Sequence, residues 1–369
     1  MLNSLLQKLK RIYQPKSEKS FAQEVKPTMV EPVLGRGYID YLDYSNGYLS
    51  IAGWMFLEET PFDRFLVKVN NILYERVDIV ERVDVEKAFS FISTARMSGF
   101  EFRFPIPEGI VRDWADISIL GIQQNMEMAK INTIYRLDFQ RSLPDPPSEL
   151  MQRVANVSEP MGYWCRALNS FGEFLKAIQK HRELSSIDFF LDWGCGCGRL
   201  TGLFLKHTNI PNIYGCDIDK EAVEWCNQQL RSGYFSVINP YPPTHFTDSM
   251  FDMIISYSVF THLTREVQIQ WIKEMKRILK PGGLFFASVH GDFAASFAPR
   301  HVREEIAHDG ISDSSFDPNL EGIAPSGYYK GVYQGKEYTF EKWSNYFKIV
   351  DYIERGMGNF QDLVIMKKE

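Results

Sequence analysis

Three glycines alternate with other residues directly after an acidic residue, between Asp192 and Arg199 (Asp-Trp-Gly-Cys-Gly-Cys-Gly-Arg). The preceding run 187–191 is mostly apolar, and apolar residues at helical spacing follow, which predicts a strand, a tight loop and a helix. Glycine is needed where the backbone takes a positive φ or approaches a ligand closely. Free N–H groups at the start of the next helix offer hydrogen bonds to a carboxylate or phosphate. We therefore expect a ligand that carries a nucleoside, and the alternative is a purely structural turn.

A second acidic residue, Asp217, ends the short apolar strand predicted at 213–217. A carboxylate at the end of the second strand of such a sheet can accept hydrogen bonds from both hydroxyls of a ribose. Asp219 follows as the expected N-cap of a helix at 220–230. If the strand register is shifted by two residues, Asp217 and Asp219 exchange roles.

The segments that follow continue the alternation of strands and helices. Further strands are predicted at 235–239, at 251–263, with an exit at 256–258, and at 284–289. An amphipathic helix ends at the turn 280–283. Strands that alternate with helices form parallel sheets through right-handed crossovers. Two final strands, 346–354 and 362–366, flank a turn-rich segment and predict a closing antiparallel hairpin.

The spacing of Asp192, Gly194, Gly196 and Gly198 resembles motif I of the class I S-adenosylmethionine-dependent methyltransferases, and the segment 251–263 resembles motif IV. The resemblance implies an α/β Rossmann-like domain with a mostly parallel seven-stranded sheet and a C-terminal antiparallel hairpin. It implies a methyltransferase with S-adenosyl-L-methionine as its cofactor. The residues that it implies at the cofactor are Asp192, Gly194, Cys195, Gly196, Gly198, Asp217, Ile218, Asn239, Ser256 and Tyr257.

The resemblance also implies individual roles. The glycine loop lies under the methionine half of the cofactor in this family, and Asp192 matches the acid that orients the cofactor amino group. Asn239 stands where the family often places a polar residue against the adenine amino group. Because Asn239 precedes a proline, an ordinary turn is the alternative.

Methyl transfer from a sulfonium needs no covalent nucleophile, because the methyl group is already activated. A hydroxyl acceptor must lose its proton, so a base near the methyl group is required. The candidates are His262, His290 and Asp292, which follow the fourth and fifth strands at the edge of the sheet where such folds bind ligands. The alternatives are that His262 only caps the following helix and that His290 only hydrogen-bonds a loop.

No metal site is predicted. Cys195 and Cys197 are separated by one residue, but no second pair of Cys or His residues follows at the spacing of a zinc site. His290 and Asp292 would offer a divalent cation only two ligands.

The chain has 369 residues, which is long enough for two domains. A formal net charge of −6 argues against nucleic acid as the main partner, because phosphate binding needs a basic surface. No signal or membrane-spanning run is recognisable, which predicts a cytoplasmic protein. Residues 2–13 place apolar side chains on one helical stripe, so this segment is predicted either to contact the inner membrane face or a partner peripherally, or to pack as an ordinary helix.

Three parts are predicted along the chain: 1–32 as an amphipathic helix and linker, 33–140 as a β-sandwich accessory domain, and 141–369 as the methyltransferase domain. Two hairpin signals, Asn46-Gly47 and Asn70-Asn71, fall in the second part. Its β-rich runs resemble accessory sandwich modules of bacterial glycosyltransferases and surface-polysaccharide enzymes.

A long insertion, 291–338, separates the fifth strand from the closing hairpin and contains a predicted helix around 302–308. Long insertions of this kind often form an acceptor pocket or a lid. Its four tyrosines suit a sugar or another polar ring; they are Tyr328, Tyr329, Tyr333 and Tyr338.

We therefore expect an enzyme that uses S-adenosyl-L-methionine to methylate an oxygen of a small-molecule or glycan acceptor, in particular a sugar or glycan precursor. One alternative is methylation of a different small molecule, at oxygen or nitrogen. Another is a non-catalytic glycan-binding or scaffold protein that keeps the cofactor fold.

Overall fold

The computed structural model describes residues 36–57, 59–75, 77–90, 92–106, 114–136, 143–318, 320 and 322–369. The helix predicted at 2–13 and the linker after it lie outside the described residues. No helix in the described ranges combines the length and apolarity needed to cross a bilayer.

The first described part contains two antiparallel four-stranded sheets, with strand orders β1-β2-β6-β5 and β4-β3-β7-β8. Asn46, Asn70 and Asn71 have positive φ angles in the two predicted hairpin turns, a conformation that asparagine tolerates well. The elements are β1 (Arg36–Ser45), β2 (Tyr48–Phe56), β3 (Arg64–Val69), β4 (Ile72–Tyr74), β5 (Asp78–Val80), α1 (Val83–Ala88), β6 (Gly99–Pro105), β7 (Trp114–Gln123) and β8 (Met126–Arg136).

The inner faces of the two sheets share one apolar core. Alternate residues of β2 and β3, such as Leu49, Ile51 and Val67, are fully buried, as expected for strands with one face towards a core. The rings of Phe65 on β3 and Phe100 on β6 lie 5.3 Å apart and join the two sheets. This part is therefore a β-sandwich.

The second part is built on a seven-stranded sheet with the order β11-β10-β9-β12-β13-β17-β16. The first five strands are parallel, and β17 is antiparallel to both of its neighbours. Consequently the carboxyl ends of β9, β10, β12 and β13 meet at one edge. The strands are β9 (Phe189–Trp193), β10 (Asn212–Asp217), β11 (Tyr234–Val237), β12 (Phe251–Ser256), β13 (Leu279–Val289), β16 (Lys348–Met357) and β17 (Gln361–Lys367).

Helices pack against this sheet and connect its strands. Two leading helices precede β9, and the later helices follow β9, β10 and β12. They are α2 (Ser148–Ala155), α3 (Pro160–His181), α4 (Arg199–His207), α5 (Lys220–Gln229) and α6 (Arg265–Ile278), with a short 3-10 helix at Phe260–His262 before α6.

The predicted boundaries of β11, β12 and β13 are among those that differ from the observed ones. Strand β12 ends at Ser256 and does not continue to residue 263. Strand β11 ends at Val237, so Asn239 lies beyond it rather than at its last position. Strand β13 begins at Leu279 because this residue already pairs with Phe251 of β12, before the predicted proline–glycine turn. Apolarity alone does not reveal such early backbone pairing.

The insertion forms a small unit of its own between β13 and β16. Its elements are α7 (Asp292–Ser296), α8 (Arg300–Asp309), β14 (Ile311–Phe316), β15 (Lys330–Gln334) and α9 (Lys336–Trp343), and β14 and β15 form a two-stranded antiparallel sheet. The predicted helix around 302–308 corresponds to α8.

The sandwich contacts the second part through Arg36, the first residue of β1. Its guanidinium lies over the rings of Phe89, Phe297 and Phe360, 4.3 to 4.8 Å from their centroids. Phe89 belongs to the sandwich side, whereas Phe297 and Phe360 belong to the second part. Burial lowers the pKa of Arg36 to about 10, which reflects the apolar surroundings of this charge.

Candidate cofactor and acceptor site

The glycine loop between β9 and α4 has the backbone conformation that its sequence predicts. Gly194, Gly196 and Gly198 all have positive φ angles, of 82°, 52° and 72°. A Cβ atom on Gly194 would lie 2.2 Å from Val259 Cγ2. The N–H groups of Gly194 and Cys195 donate to the carbonyl oxygen of Cys216 on β10. The loop is therefore tied to the neighbouring strand.

Asp192 is buried at the end of β9. Its carboxylate accepts a hydrogen bond of 2.6 Å from the Thr201 hydroxyl on α4. Burial is the main reason why the pKa of Asp192 is raised to about 6, because a low-dielectric environment disfavours the charged form. An added positive charge in the cavity would favour the ionised carboxylate.

Asp217 ends β10, next to β9 in the sheet. Its two carboxylate oxygens accept hydrogen bonds from the N–H groups of Gly196 (2.7 Å) and Asp219 (2.9 Å). Burial raises its pKa. Asp219 caps α5 through the N–H of Ala222, so Asp217 holds the loop and Asp219 holds the helix, in the register that the sequence predicts.

A cavity of about 170 Å³ lies against the glycine loop and both acids. Several of the residues predicted at the cofactor line it, namely Asp192, Gly194, Cys195, Gly196, Asp217, Ile218 and Tyr257. Two carboxylates from neighbouring strands and the bare loop between them therefore face one enclosed space.

Three of the predicted cofactor residues do not line this cavity. Gly198 is the N-cap of α4, and a Cβ atom there would lie 2.5 Å from Leu230. Asn239 is exposed beyond the end of β11. Ser256 is fully buried within β12, with a hydroxyl that has no hydrogen-bond partner. The structure thus places these residues in supporting or surface positions.

Of the other lining residues, Arg153 and Leu320 were not predicted from the sequence, whereas Tyr328 and Tyr329 were expected at an acceptor pocket. Arg153 of α2 reaches over the loop and donates to Asp219 at 2.7 Å and to Glu221 at 2.8 Å. Leu320, Tyr328 and Tyr329 of the insertion complete the wall. Only the tyrosines had a recognisable signal, the Gly/Tyr-rich composition of the insertion.

His262 lies on the cavity wall, directly after β12. Its Nδ1 atom is 3.0 Å from the carbonyl oxygen of Lys330 and 3.3 Å from a carboxylate oxygen of Asp317. The imidazole stacks on the ring of Tyr329, with centroids 4.0 Å apart. All three partners belong to the insertion.

His290 and Asp292 do not line the cavity. His290 Nδ1 is 3.0 Å from the carbonyl oxygen of Val332, and the ring stacks on Tyr333 at 4.8 Å. Burial lowers the pKa of His290 to about 3, and such a weak base is unsuited to take a proton from a hydroxyl. Asp292 accepts from the N–H of Lys336 at the start of α9.

The cysteines near the loop are packing residues. Cys195, Cys197 and Cys226 are buried with free thiols, and Cys197 Sγ lies 3.1 Å from the Tyr163 hydroxyl. Over the described ranges, no group of three or more His, Cys, Asp or Glu side chains converges in a way that could hold a metal ion.

The segment that contains this site matches a known protein family. A family model described as "Methyltransferase domain" matches residues 191–287. The match confirms the class predicted for this segment, a methyltransferase domain. It covers the glycine loop, Asp217 and His262.

Individual relatives are similar over limited parts of the chain. A human protein named "Probable tRNA methyltransferase 9B" is 37% identical over 133 residues, which are 36% of this chain and 28% of that protein. A "Probable methyltransferase ltbC" from Aspergillus luteorubrus is 24% identical and covers 38% of this chain and 54% of its own length. The chain thus spans about a quarter to a half of these relatives.

Two solved structures are similar to about half or more of the chain. A SAM-dependent methyltransferase from Methanosarcina mazei is 23% identical, with a TM-score of 0.38, and covers 52% of this chain and 96% of its own. Geranyl diphosphate C-methyltransferase from Streptomyces coelicolor is 14% identical, with a TM-score of 0.39, and covers 62% of this chain and 85% of its own.

Proposed function

We propose that the chain transfers a methyl group from S-adenosyl-L-methionine, bound in the cavity beside the glycine loop, to an acceptor in the part of the cavity lined by His262 and the insertion. The observation that carries this proposal is the convergence of Asp192, Asp217 and the loop on one enclosed space. Three carboxylates and two guanidiniums line that space, a balance that suits a cationic cofactor.

The chain's own residues have separable roles in this proposal. Asp217 accepts hydrogen bonds from the ribose hydroxyls, and Asp192 faces the amino group. When bound, the cofactor supplies a methyl group that its positively charged sulfur already activates. The remaining task of the protein is to align the acceptor and exclude water, and the buried walls from Tyr257, Leu263 and Tyr329 serve that task.

The acceptor that we propose is a hydroxyl group of a sugar or glycan precursor. Tyr257, Tyr328 and Tyr329 line the cavity, and aromatic faces with polar edges suit sugar rings. The resemblance of the sandwich sequence to modules of polysaccharide enzymes points in the same direction.

A tRNA acceptor is the second candidate, because the human relative named as a probable tRNA methyltransferase shares 37% identity over 133 residues. The net charge of −6 weighs against it, since nucleic-acid binding depends on clustered basic residues. The two candidate acceptors can be distinguished by offering sugars and tRNA as substrates in the same methyl-transfer assay.

Two measurements test the proposal in sequence. Isothermal titration calorimetry should show binding of S-adenosylmethionine and of its demethylated product, S-adenosylhomocysteine. If neither binds, the assignment as an enzyme is wrong. Transfer of radiolabelled methyl from the cofactor is then measured with nucleotide sugars, glycan oligomers and tRNA. Label in the sugar fraction supports the proposed acceptor, whereas label in tRNA alone or in amines alone contradicts it.

A further inference from the structure

Two imidazoles that follow neighbouring strands are held by one strand of the insertion. His262 follows β12 and His290 follows β13, and their Nδ1 atoms face the carbonyl oxygens of Lys330 and Val332. These carbonyls are two residues apart on β15, so they point to the same side of that strand. The same strand of the insertion therefore contacts both rings at Nδ1.

This contact decides where each neutral imidazole carries its proton. The partners of His262 Nδ1 are a carbonyl oxygen and a carboxylate oxygen, which can only accept. Nδ1 must therefore be the N–H, and Nε2 carries the lone pair. His262 lines the cavity, so the nitrogen available to a ligand is a proton acceptor.

Asp317 distinguishes His262 from His290. Its carboxylate oxygen lies 3.3 Å from His262 Nδ1, and both side chains are mostly buried. A carboxylate at this distance restrains the orientation of the ring. His290 has only the carbonyl of Val332 at its Nδ1 and no place on the cavity wall.

The insertion is fastened to the sheet on both sides of this pair. Leu263 and Tyr329 form a backbone bridge, and the Gln268 amide on α6 donates to the side chain of Gln334 at 2.9 Å. Arg265 forms a bidentate pair with Asp313 on β14, with both N–O distances near 3 Å. Lys330 and Asp317 thus reach His262 from a fixed frame.

We propose that His262 is the general base of the reaction and that Asp317 is its positioning residue, which assigns a hydroxyl-bearing acceptor to this part of the cavity. This inference rests on the proposed function. The acceptor oxygen forms a bond to the methyl carbon while the carbon–sulfur bond breaks, and the bonding electron pair stays on sulfur. The hydroxyl proton passes to Nε2 of His262 and then to solvent.

The first test is independent of the acceptor. Nitrogen-15 NMR of the whole chain with S-adenosylhomocysteine should show neutral His262 with its proton on Nδ1, assigned by loss of the signal in His262→Gln. In Asp317→Asn the proportion of this tautomer should change, because one of its two acceptors loses its charge. A His262 with its proton on Nε2 would overturn the inference even if the cofactor binds.

The second test uses chemical reactivity. Diethyl pyrocarbonate modifies accessible unprotonated imidazole nitrogens, so mass spectrometry should find His262 modified and His290 unmodified. Equal modification of the two, or none at His262, contradicts the assigned roles.

The third test measures catalysis with the acceptor identified by label transfer. His262→Gln should lower kcat by about 10²-fold to 10⁴-fold, the usual contribution of a general base, while the affinity for S-adenosylhomocysteine changes less than about twofold. Asp317→Asn should lower kcat by about tenfold with little change in KM. His308→Gln, at an exposed histidine, is the matched control and should behave as the parent chain.

The outcomes separate the two proposals. Loss of cofactor binding in the parent chain defeats the proposed function itself. Normal binding with an unchanged kcat in His262→Gln leaves the methyltransferase in place and defeats only the base. A fall in cofactor affinity in step with kcat would show that His262 is structural.

Discussion

The two sides of the cavity are built in different ways. The cofactor side comes from one stretch of chain, because Asp192, the glycine loop and Asp217 lie at the ends of two adjacent strands. The acceptor side joins His262 to Asp317, Tyr329 and Lys330, which follow it by more than fifty residues. The side proposed for the cofactor is thus built by a local motif, whereas the side proposed for the acceptor is assembled by long-range contacts.

The difference also concerns the kind of interaction. On the cofactor side, the side-chain carboxylate of Asp217 accepts hydrogen bonds from the backbone N–H groups of Gly196 in the loop and of Asp219. On the acceptor side, the backbone carbonyl of Lys330 in the insertion holds the side-chain imidazole of His262. The first arrangement determines the backbone conformation of the loop. The second determines which nitrogen of the His262 imidazole carries the proton. Perturbing one side should therefore leave the other largely intact.

The largest effect is expected from Asp217→Ala. The change removes the acceptor of the Gly196 N–H and, in the proposed function, both hydrogen bonds to the ribose. Calorimetry should show the affinity for S-adenosylhomocysteine falling by about 10²-fold, with the His262 NMR signals unchanged. Asp248→Ala, at an exposed acid paired with Arg277, is the control. If Asp217→Ala lowers the affinity for S-adenosylhomocysteine less than threefold, the proposed difference between the two sides of the cavity is wrong.

A smaller effect, on the other side of the cavity, is expected from Arg265→Ala. Losing the pair with Asp313 loosens the insertion that holds His262, and misplacement by a fraction of an ångström is costly in catalysis. Methyl transfer should fall about thirtyfold while cofactor affinity stays within about twofold. Arg300→Ala, which breaks an exposed pair with Glu304, should leave both quantities unchanged. Equal loss of affinity and transfer would mean that the two sides are not separable.

Cofactor affinity should depend on pH through Asp192. The pKa of this carboxyl is raised to about 6 by burial, and a bound cation favours its ionised form, so binding releases a proton below pH 6. Affinity must then fall as the pH is lowered, by about tenfold between pH 7 and pH 5. Calorimetry at these two pH values checks the sign, and Asp192→Asn should flatten the dependence. Stronger binding at pH 5 would contradict the proposed role of Asp192.

The smallest effect concerns the contact between sandwich and second part. Arg36→Met removes a guanidinium that contacts three phenyl rings and should lower the free energy of unfolding by about 1 to 2 kcal/mol. Chemical denaturation measures this change, and cofactor affinity should not move. Arg103→Met, at an exposed arginine over Tyr48, should cost clearly less. A change in cofactor affinity in Arg36→Met would mean that cofactor binding also depends on residues outside the glycine loop and its two acids.

The candidate site was predictable where its residues are neighbours in sequence or end consecutive strands. Asp192, Gly194 and Asp217 line the cavity because a strand, a tight turn and a helix determine their placement locally. Asn239 and Ser256 do not line it, because their positions depend on where β11 ends and on which face of the buried β12 a side chain lies. An unbroken apolar strand carries no alternation that would distinguish its two faces.

The sequence by itself determined the order of strands and helices, the glycine loop with its two acids, and through them the class of the second part. These features arise from local backbone preferences and from the period of apolar residues. Only the tertiary structure decided between His262 and His290, which follow adjacent strands and have similar local contexts. Strand β15 contacts both rings, and His262 lies on the cavity wall beside Asp317 whereas His290 is buried away from it. No local sequence pattern encodes contacts between residues so far apart in the chain.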